Sequence, residues 1–216
     1  MPAPWTTWGL RVNPDRVNFL AHALLADDDD ESIVGNLIAD FAKGTRVSGF
    51  SAPIQRGIAL HRAVDNFTDD HDVVRRSRRR VGPTFHLLSP VLVDVYYDHF
   101  LARRFDAFCP TPLPAFSQRV YGALLRHRDL LPPAWQQGLH RMVDADWLSS
   151  YADLERVGFV LERTASRMRR PGRMAEGLSA LRAHYPELDG DFQEFFPQLQ
   201  AHAAGLRGHH AVAGAS

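Results

Sequence analysis

The sequence predicts an all-α fold built as one helical domain. Three observations carry this expectation. Apolar and site-type residues recur at helical spacing, as in Ile54, Gly57, Ile58, His61 and Asp65. No stretch alternates apolar and polar residues with the period of two that a half-buried strand needs. Gly and Pro punctuate the periodic stretches, at Gly44, Gly82-Pro83 and the Pro110, Pro112, Pro114 series.

The elements follow in order. Residues 1–16 are Pro-rich without apolar periodicity and are expected to be an N-terminal extension. The run Val17 to Leu25 opens the ordered domain, taken as 17–205. Asp27 to Asp30 precede Ser32 and suit a helix N-terminus, where carboxylates meet the positive end of the dipole. A helix is expected over 32–43, stopped by Gly44. Pro53 fits the first turn of the next helix, which carries His61 and Asp65. After His71 comes a helix with Val73, Val74 and five arginines, expected to break at Gly82-Pro83. A long helix is expected over 87–108, with Pro90 tolerated in its first turn. Further helices are expected at 115–130, 133–148, 150–169 and 174–184, then a break near Pro186 and a last helix at 189–203. The Gly-, Ala- and His-rich residues 206–216 are expected to form a flexible tail.

A chain of 216 residues can bury a sizeable core. Its 25 basic and 25 acidic residues balance, so no global field argues for nucleic acid. The single cysteine, Cys109, excludes an internal disulfide framework and fits a reducing compartment. No apolar run approaches the ~20 residues of a membrane span, and Pro2, Pro4, Arg11, Pro14, Asp15 and Arg16 interrupt any signal-peptide pattern. The expectation is a cytoplasmic protein with no membrane or nucleic-acid partner. Glycines at Walker or Rossmann spacing and Ser-centred nucleophile elbows are missing from the sequence.

The stretch His61-Arg62-Ala63-Val64-Asp65-Asn66-Phe67-Thr68-Asp69-Asp70-His71 packs two imidazoles and three carboxylates into eleven residues. His61 and Asp65 stand four apart and share a helix face. Three more segments set ionisable groups among apolar neighbours: His22 within 19–25, Asp40 within 37–42, and Asp98-His99 within 93–101. Singly, each has a plain reading. A lone His is more often a satisfied core residue, and a lone Asp can pair with an Arg. Together, four helical segments each supply imidazole or carboxylate from apolar surroundings. That is how bundles build metal sites, and a shared cation offsets the cost of burying such groups.

Four motifs carry a family resemblance: Asn18-Phe19-Leu20-Ala21-His22, Gly35-Asn36-Leu37-Ile38-Ala39-Asp40-Phe41, Gly57 through Asp69, and Tyr97-Asp98-His99-Phe100-Leu101. In order and spacing over about 17–205, the chain resembles the bacterial acyl-carrier-protein phosphodiesterases. The resemblance implies an HD-domain-like helical enzyme related to the HD-type metal phosphohydrolases. It also implies a divalent metal, typically Mn2+. The implied reaction hydrolyses holo-acyl carrier protein, so that the 4′-phosphopantetheine arm leaves its serine. The chain departs from the pattern in two places. Residues 1–16 precede the motif at which family members tend to begin. The His-Asp dipeptide appears only as reversed Asp98-His99 and as His71-Asp72.

The expected metal set is His22, Asp40, His61, Asp65 and Asp98. Asp69, His71 and His99 are expected to act as general acid, as supports for the ligands, or at a second metal. Lys43 and Arg62 are expected to neutralise phosphate, while Arg46 reads as a surface residue. Arg75, Arg76, Arg79 and Arg80, with Arg78, form a cationic helix that would steer an acidic carrier protein. Alone, such a run is more commonly a solvated basic face. Two alternatives stay open: an HD-type phosphohydrolase of a nucleotide or other small phosphoester, and a non-catalytic module that binds acyl carrier protein.

Overall fold

A computed structural model describes residues 18–42, 44–167 and 172–213. The chain enters α1 (Phe19–Leu25) and then α2 (Asp30–Ile38). The acidic run performs the expected cap: the Asp29 carboxylate accepts the Ser32 amide at 2.7 Å, and Asp30 and Glu31 occupy the first turn. The expected helix over 32–43 is α-helical only to Ile38. It then tightens into a 3-10 turn, Ala39–Phe41, and reaches an extended Ala42. The Arg62 guanidinium donates to the Ala42 carbonyl at 2.9 Å and fixes this exit.

Helix α3 (Ala52–Asp70) starts on Pro53, as its fixed φ and missing N–H favour. His71 ends α3 and begins α4 (Asp72–Phe85), accepting the Val73 amide on Nδ1 at 3.3 Å. Helix α4 does not break at Gly82-Pro83. Pro83 lies inside the last turn and costs the helix one backbone hydrogen bond, while buried Phe85 anchors that turn. The chain turns instead at His86, whose φ of 44° is left-handed.

Helix α5 (Ser89–Arg103) is the centre of the core. Every residue from Val91 to Ala102 is buried, so it is apolar on nearly all faces, as a surrounded helix must be. Helices α1 and α4, a later helix (Leu154–Arg167) and the C-terminal helix pack on it. The expected continuation to 108 is a separate 3-10 turn, Phe105–Ala107. Helices α6 (Leu113–Arg126), α7 (Pro133–Asp144), α8 (Trp147–Ser150), α9 (Leu154–Arg167) and α10 (Gly177–Ala183) follow near their expected places. The expected 133–148 helix ends at Asp144. Asp146, at a left-handed φ of 41°, then starts the short α8.

The last helix, α11 (Tyr185–Ala213), begins earlier and ends later than expected. Pro186 sits in its first turn, where proline is tolerated, and is not a break. Its buried face, Leu188, Phe192, Phe195, Phe196, Leu199 and Ala203, locks onto the core. Among the described residues the protein is a single all-α domain, and no helix is long and apolar enough to cross a membrane.

Candidate metal centre

The site is made by α1, α2 and α3, and its geometry starts with two glycines. At Gly35 an added Cβ would lie 2.3 Å from the Ile54 carbonyl oxygen. At Gly57 it would lie 2.3 Å from the Ser32 carbonyl oxygen and 2.8 Å from the Asn36 nitrogen. Only hydrogen fits at either place, so α2 and α3 touch backbone to backbone. That approach brings Asn36 and Asp40 across to the face of α3 that carries His61 and Asp65.

Helix α1 adds His22. The imidazoles of His22 and His61 stack with centroids 3.9 Å apart and planes 22° from parallel. Between them lies Asp65. One of its oxygens is 3.2 Å from His22 Nε2 and the other 3.1 Å from His61 Nε2. Asp40 Oδ1 lies 3.6 Å from His61 Nε2, on the solvent side. His22, His61 and Asp65 are all buried, and one ligand atom from each falls within 4.8 Å of the others. A cavity of about 10 Å³, lined by Asn18, Phe19, His22, Asn36, Leu37, Asp40 and His61, opens beside them. That is roughly the room of one small occupant.

These residues fit a divalent cation. The ring nitrogens His22 Nε2 and His61 Nε2 are buried and lack the alignment of a hydrogen bond, and His61 Nδ1 has no hydrogen bond either. Such nitrogens are costly to bury, about 1–3 kcal/mol each. An imidazole and carboxylate set suits Zn, Fe or Mn. The electrostatics agree. Burial, then the charge of His61, lowers the His22 pKa. Burial alone would lower His61, but the Asp40 and Asp65 carboxylates outweigh it and lift the pKa to about 9. Burial would raise Asp65, yet the two imidazoles hold it well below the usual carboxylate range. The cluster calls for a positive charge at its centre, which a proton or a metal ion can supply.

The other expected site residues lie elsewhere. Asp98 is not in the cluster: its oxygens accept the amides of Leu20 (2.9 Å) and Ala21 (3.0 Å), tying α5 to the first turn of α1. Burial, opposed by those two amides, pushes its pKa up to about 8. His99 is buried between the end of α8 and α11, its ring nitrogens 2.7 Å from the Tyr151 carbonyl and 2.9 Å from the Tyr185 hydroxyl. Asp69 pairs with Arg78 at 2.7 Å. His71 is the α3–α4 junction and also contacts Gln198 Oε1 at 3.3 Å. Each of these groups has structural work away from the stacked imidazoles. Arg62 holds the Ala42 carbonyl beside the site. Lys43 lies outside the described residues, as does the side chain of Arg46.

The arginine helix is largely committed to ion pairs. Arg75 meets Asp70 and Asp72; Arg76 meets Asp191 and Glu194; Arg80 meets Asp191. Buried Asp191 also accepts the Ser77 hydroxyl, so these contacts fasten α4 to α11. Arg79 stays exposed, and among the described residues no acid pairs with it. The run is therefore mainly a helix clamp, with one cation left facing solvent.

Sequence reasoning missed Asn36. It is fully buried in the cluster, and its Oδ1 lies 2.9 Å from His22 Nδ1. The signal was present: Asn36 stands four residues before Asp40 in an apolar run.

A family model described as acyl carrier protein phosphodiesterase matches residues 17–199. Proteins named acyl carrier protein phosphodiesterase are similar along most of the chain. That of Serratia proteamaculans is 35% identical over 188 residues, 87% of this chain and 97% of its own. That of Photorhabdus laumondii is 34% identical over 87% of this chain and 95% of its own. That of Yersinia pestis is 35% identical over 87% of this chain and 97% of its own. No solved structure matches the chain.

Proposed function

Because the chain belongs to the acyl carrier protein phosphodiesterase family, we propose that it hydrolyses the phosphodiester joining the 4′-phosphopantetheine arm to a serine of holo-acyl carrier protein. The products are the free arm and the apo protein. The observation that supports this most is the buried His22, His61 and Asp65 group, which lies wholly inside the matched segment.

His22 Nε2, His61 Nε2 and Asp65 would hold a divalent cation, proposed to be Mn2+, with Asp40 on the solvent side. When bound, such an ion polarises a phosphoryl group and makes water more acidic. The protein's own part is positional. Asp65 spans the two imidazoles and sets their separation. Asp40, with a side chain 25% exposed, is the member of the set that reaches solvent, where the scissile phosphate must approach. Water attacks phosphorus in line, the phosphorus–serine oxygen bond breaks, and the serine oxygen leaves as the hydroxyl. Arg62 secures the Ala39–Ala42 turn that carries Asp40. In this reading Arg62 also neutralises the phosphate's charge, the role expected of Lys43 from the sequence.

The test is mass spectrometry of holo-acyl carrier protein incubated with the enzyme and Mn2+, with an EDTA control. Loss of the phosphopantetheine mass, abolished by EDTA, is expected. A carrier protein unchanged by metal-loaded enzyme would overturn the substrate and redirect the search to small phosphodiesters. Asp65→Ala is expected to abolish turnover at unchanged helicity by circular dichroism. Retained turnover would remove Asp65 from the site.

A further inference from the structure

We infer that Asn36 is a positioning residue that fixes the tautomer of His22, keeping the ring proton on Nδ1 and the Nε2 lone pair turned toward Asp65. The inference starts from a conflict in the cluster. A neutral imidazole carries one proton. If Asn36 Oδ1 faces Nδ1 at 2.9 Å, that nitrogen must donate, because the amide oxygen can only accept. Nε2 is then a bare acceptor, 3.2 Å from an Asp65 oxygen and without a hydrogen bond. Two acceptors placed together in a buried site are tolerated when a cation sits between them.

The opposite amide orientation makes the contrary statement. With Nδ2 toward His22, the ring proton moves to Nε2 and donates to Asp65. The cluster then closes on itself and offers no nitrogen lone pair. One side-chain rotation therefore separates a ligand from a hydrogen-bond donor, and the residue that decides is fully buried between Gly35 and Leu37 on α2. The close α2–α3 crossing at Gly35 and Gly57 leaves Asn36 little room to move. With Oδ1 toward His22, its Nδ2 is buried without a hydrogen bond. That orphan donor is a cost to stability. A site that selects the ligand tautomer carries it, whereas mere packing would not. Buried residues bonded to the far nitrogen of a metal-binding His commonly fix its orientation in this way.

The consequence for a metal rests on the reading above, so the experiment separates the two. First, long-range 1H–15N correlation spectra of the metal-free protein read the His22 ring directly. An Nδ1–H tautomer is expected, and an Nε2–H tautomer would overturn the inference. Second, Mn2+ binding is measured by the electron paramagnetic resonance of the free ion, for wild type, Asn36→Leu and Asn36→Asp. Leu keeps the volume and removes the acceptor, so affinity should fall about 10- to 100-fold. Asp restores the acceptor and should recover most of it. Asn36→Leu binding Mn2+ like wild type, with helicity retained, would overturn the inference. A wild type that binds no Mn2+ yet shows Nδ1–H would remove the metal reading and support the tautomer assignment.

Discussion

His61 and Asp65 stand one turn apart on α3, and their protonation governs how the cluster receives a cation. His61 has its pKa lifted from 6.5 to about 9, its carboxylate neighbours outweighing burial. A raised folded-state value means that, without metal, protonated His61 stabilises the fold fully below pH 6.5. That contribution is lost as pH rises through about 9. Asp65, held below its ordinary 3.8, contributes above that value and loses its contribution on acidification. Metal competes with the His61 proton, so its dependence has the opposite sign: affinity should rise from pH 6.5 to 9. Thermal melts in EDTA and Mn2+ titrations over that range test both arms. A melting temperature and an affinity that both stay flat would contradict the electrostatics. Asp65→Asn removes the central charge and should abolish the binding, while Asp40 keeps a smaller pH slope at His61. At this scale His22, Asp40, His61 and Asp65 were legible in the sequence, because each is polar amid apolar neighbours and two share a helix turn. Asn36 was passed over: its spacing to Asp40 put it on the same face, but an uncharged amide in such a run does not reveal which histidine of another helix it meets.

At the scale of elements, the α2–α3 crossing is where sequence becomes site. A methyl at Gly57 would drive into the Ser32 carbonyl and the Asn36 nitrogen, both rigid backbone. Gly57→Ala should cost about 1–3 kcal/mol or more, as overpacking does. It should also weaken metal binding, since Asn36 and Asp40 move with α2. Gly190 on α11 meets nothing within 4 Å. Gly190→Ala should therefore stabilise by about 0.5–1 kcal/mol, the intrinsic helix preference. Paired thermal unfolding curves give the two signs, and equal shifts would show that the crossing is not tight. Most helices were legible from periodicity and caps, α2 from its acidic cap and α3 from Pro53. Their ends were less so. Gly82-Pro83 looked like a break, but α4 runs through it to buried Phe85, and Pro186 opens α11 where a break was expected. Asp98 likewise read as a ligand. Spacing alone does not distinguish a carboxylate buried for a metal from one buried to receive the amides of Leu20 and Ala21.

For the whole molecule, charge decides how an acidic carrier protein would be met. The chain carries 25 basic and 25 acidic residues, so attraction must come from local placement. The arginines of α4 were legible as a cluster, but their partners were not. Asp191 and Glu194 lie more than a hundred positions away and reach α4 only because α11 packs on it. Arg76 and Arg79 therefore separate two roles that the sequence merges. Arg76→Glu sets a carboxylate against Asp191 and Glu194. It should lower the melting temperature by about 2–4 °C for each kcal/mol lost, through the α4–α11 clamp. Arg79→Glu disturbs no described ion pair and should leave the melting temperature unchanged. If α4 faces the carrier protein, Arg79→Glu should raise KM about two- to tenfold, as an exposed charge does, with kcat unaltered and the salt dependence of kcat/KM flattened. Steady-state kinetics with holo-acyl carrier protein at two ionic strengths would settle the matter. An unchanged KM would leave α4 as a clamp alone and place the docking surface on another face.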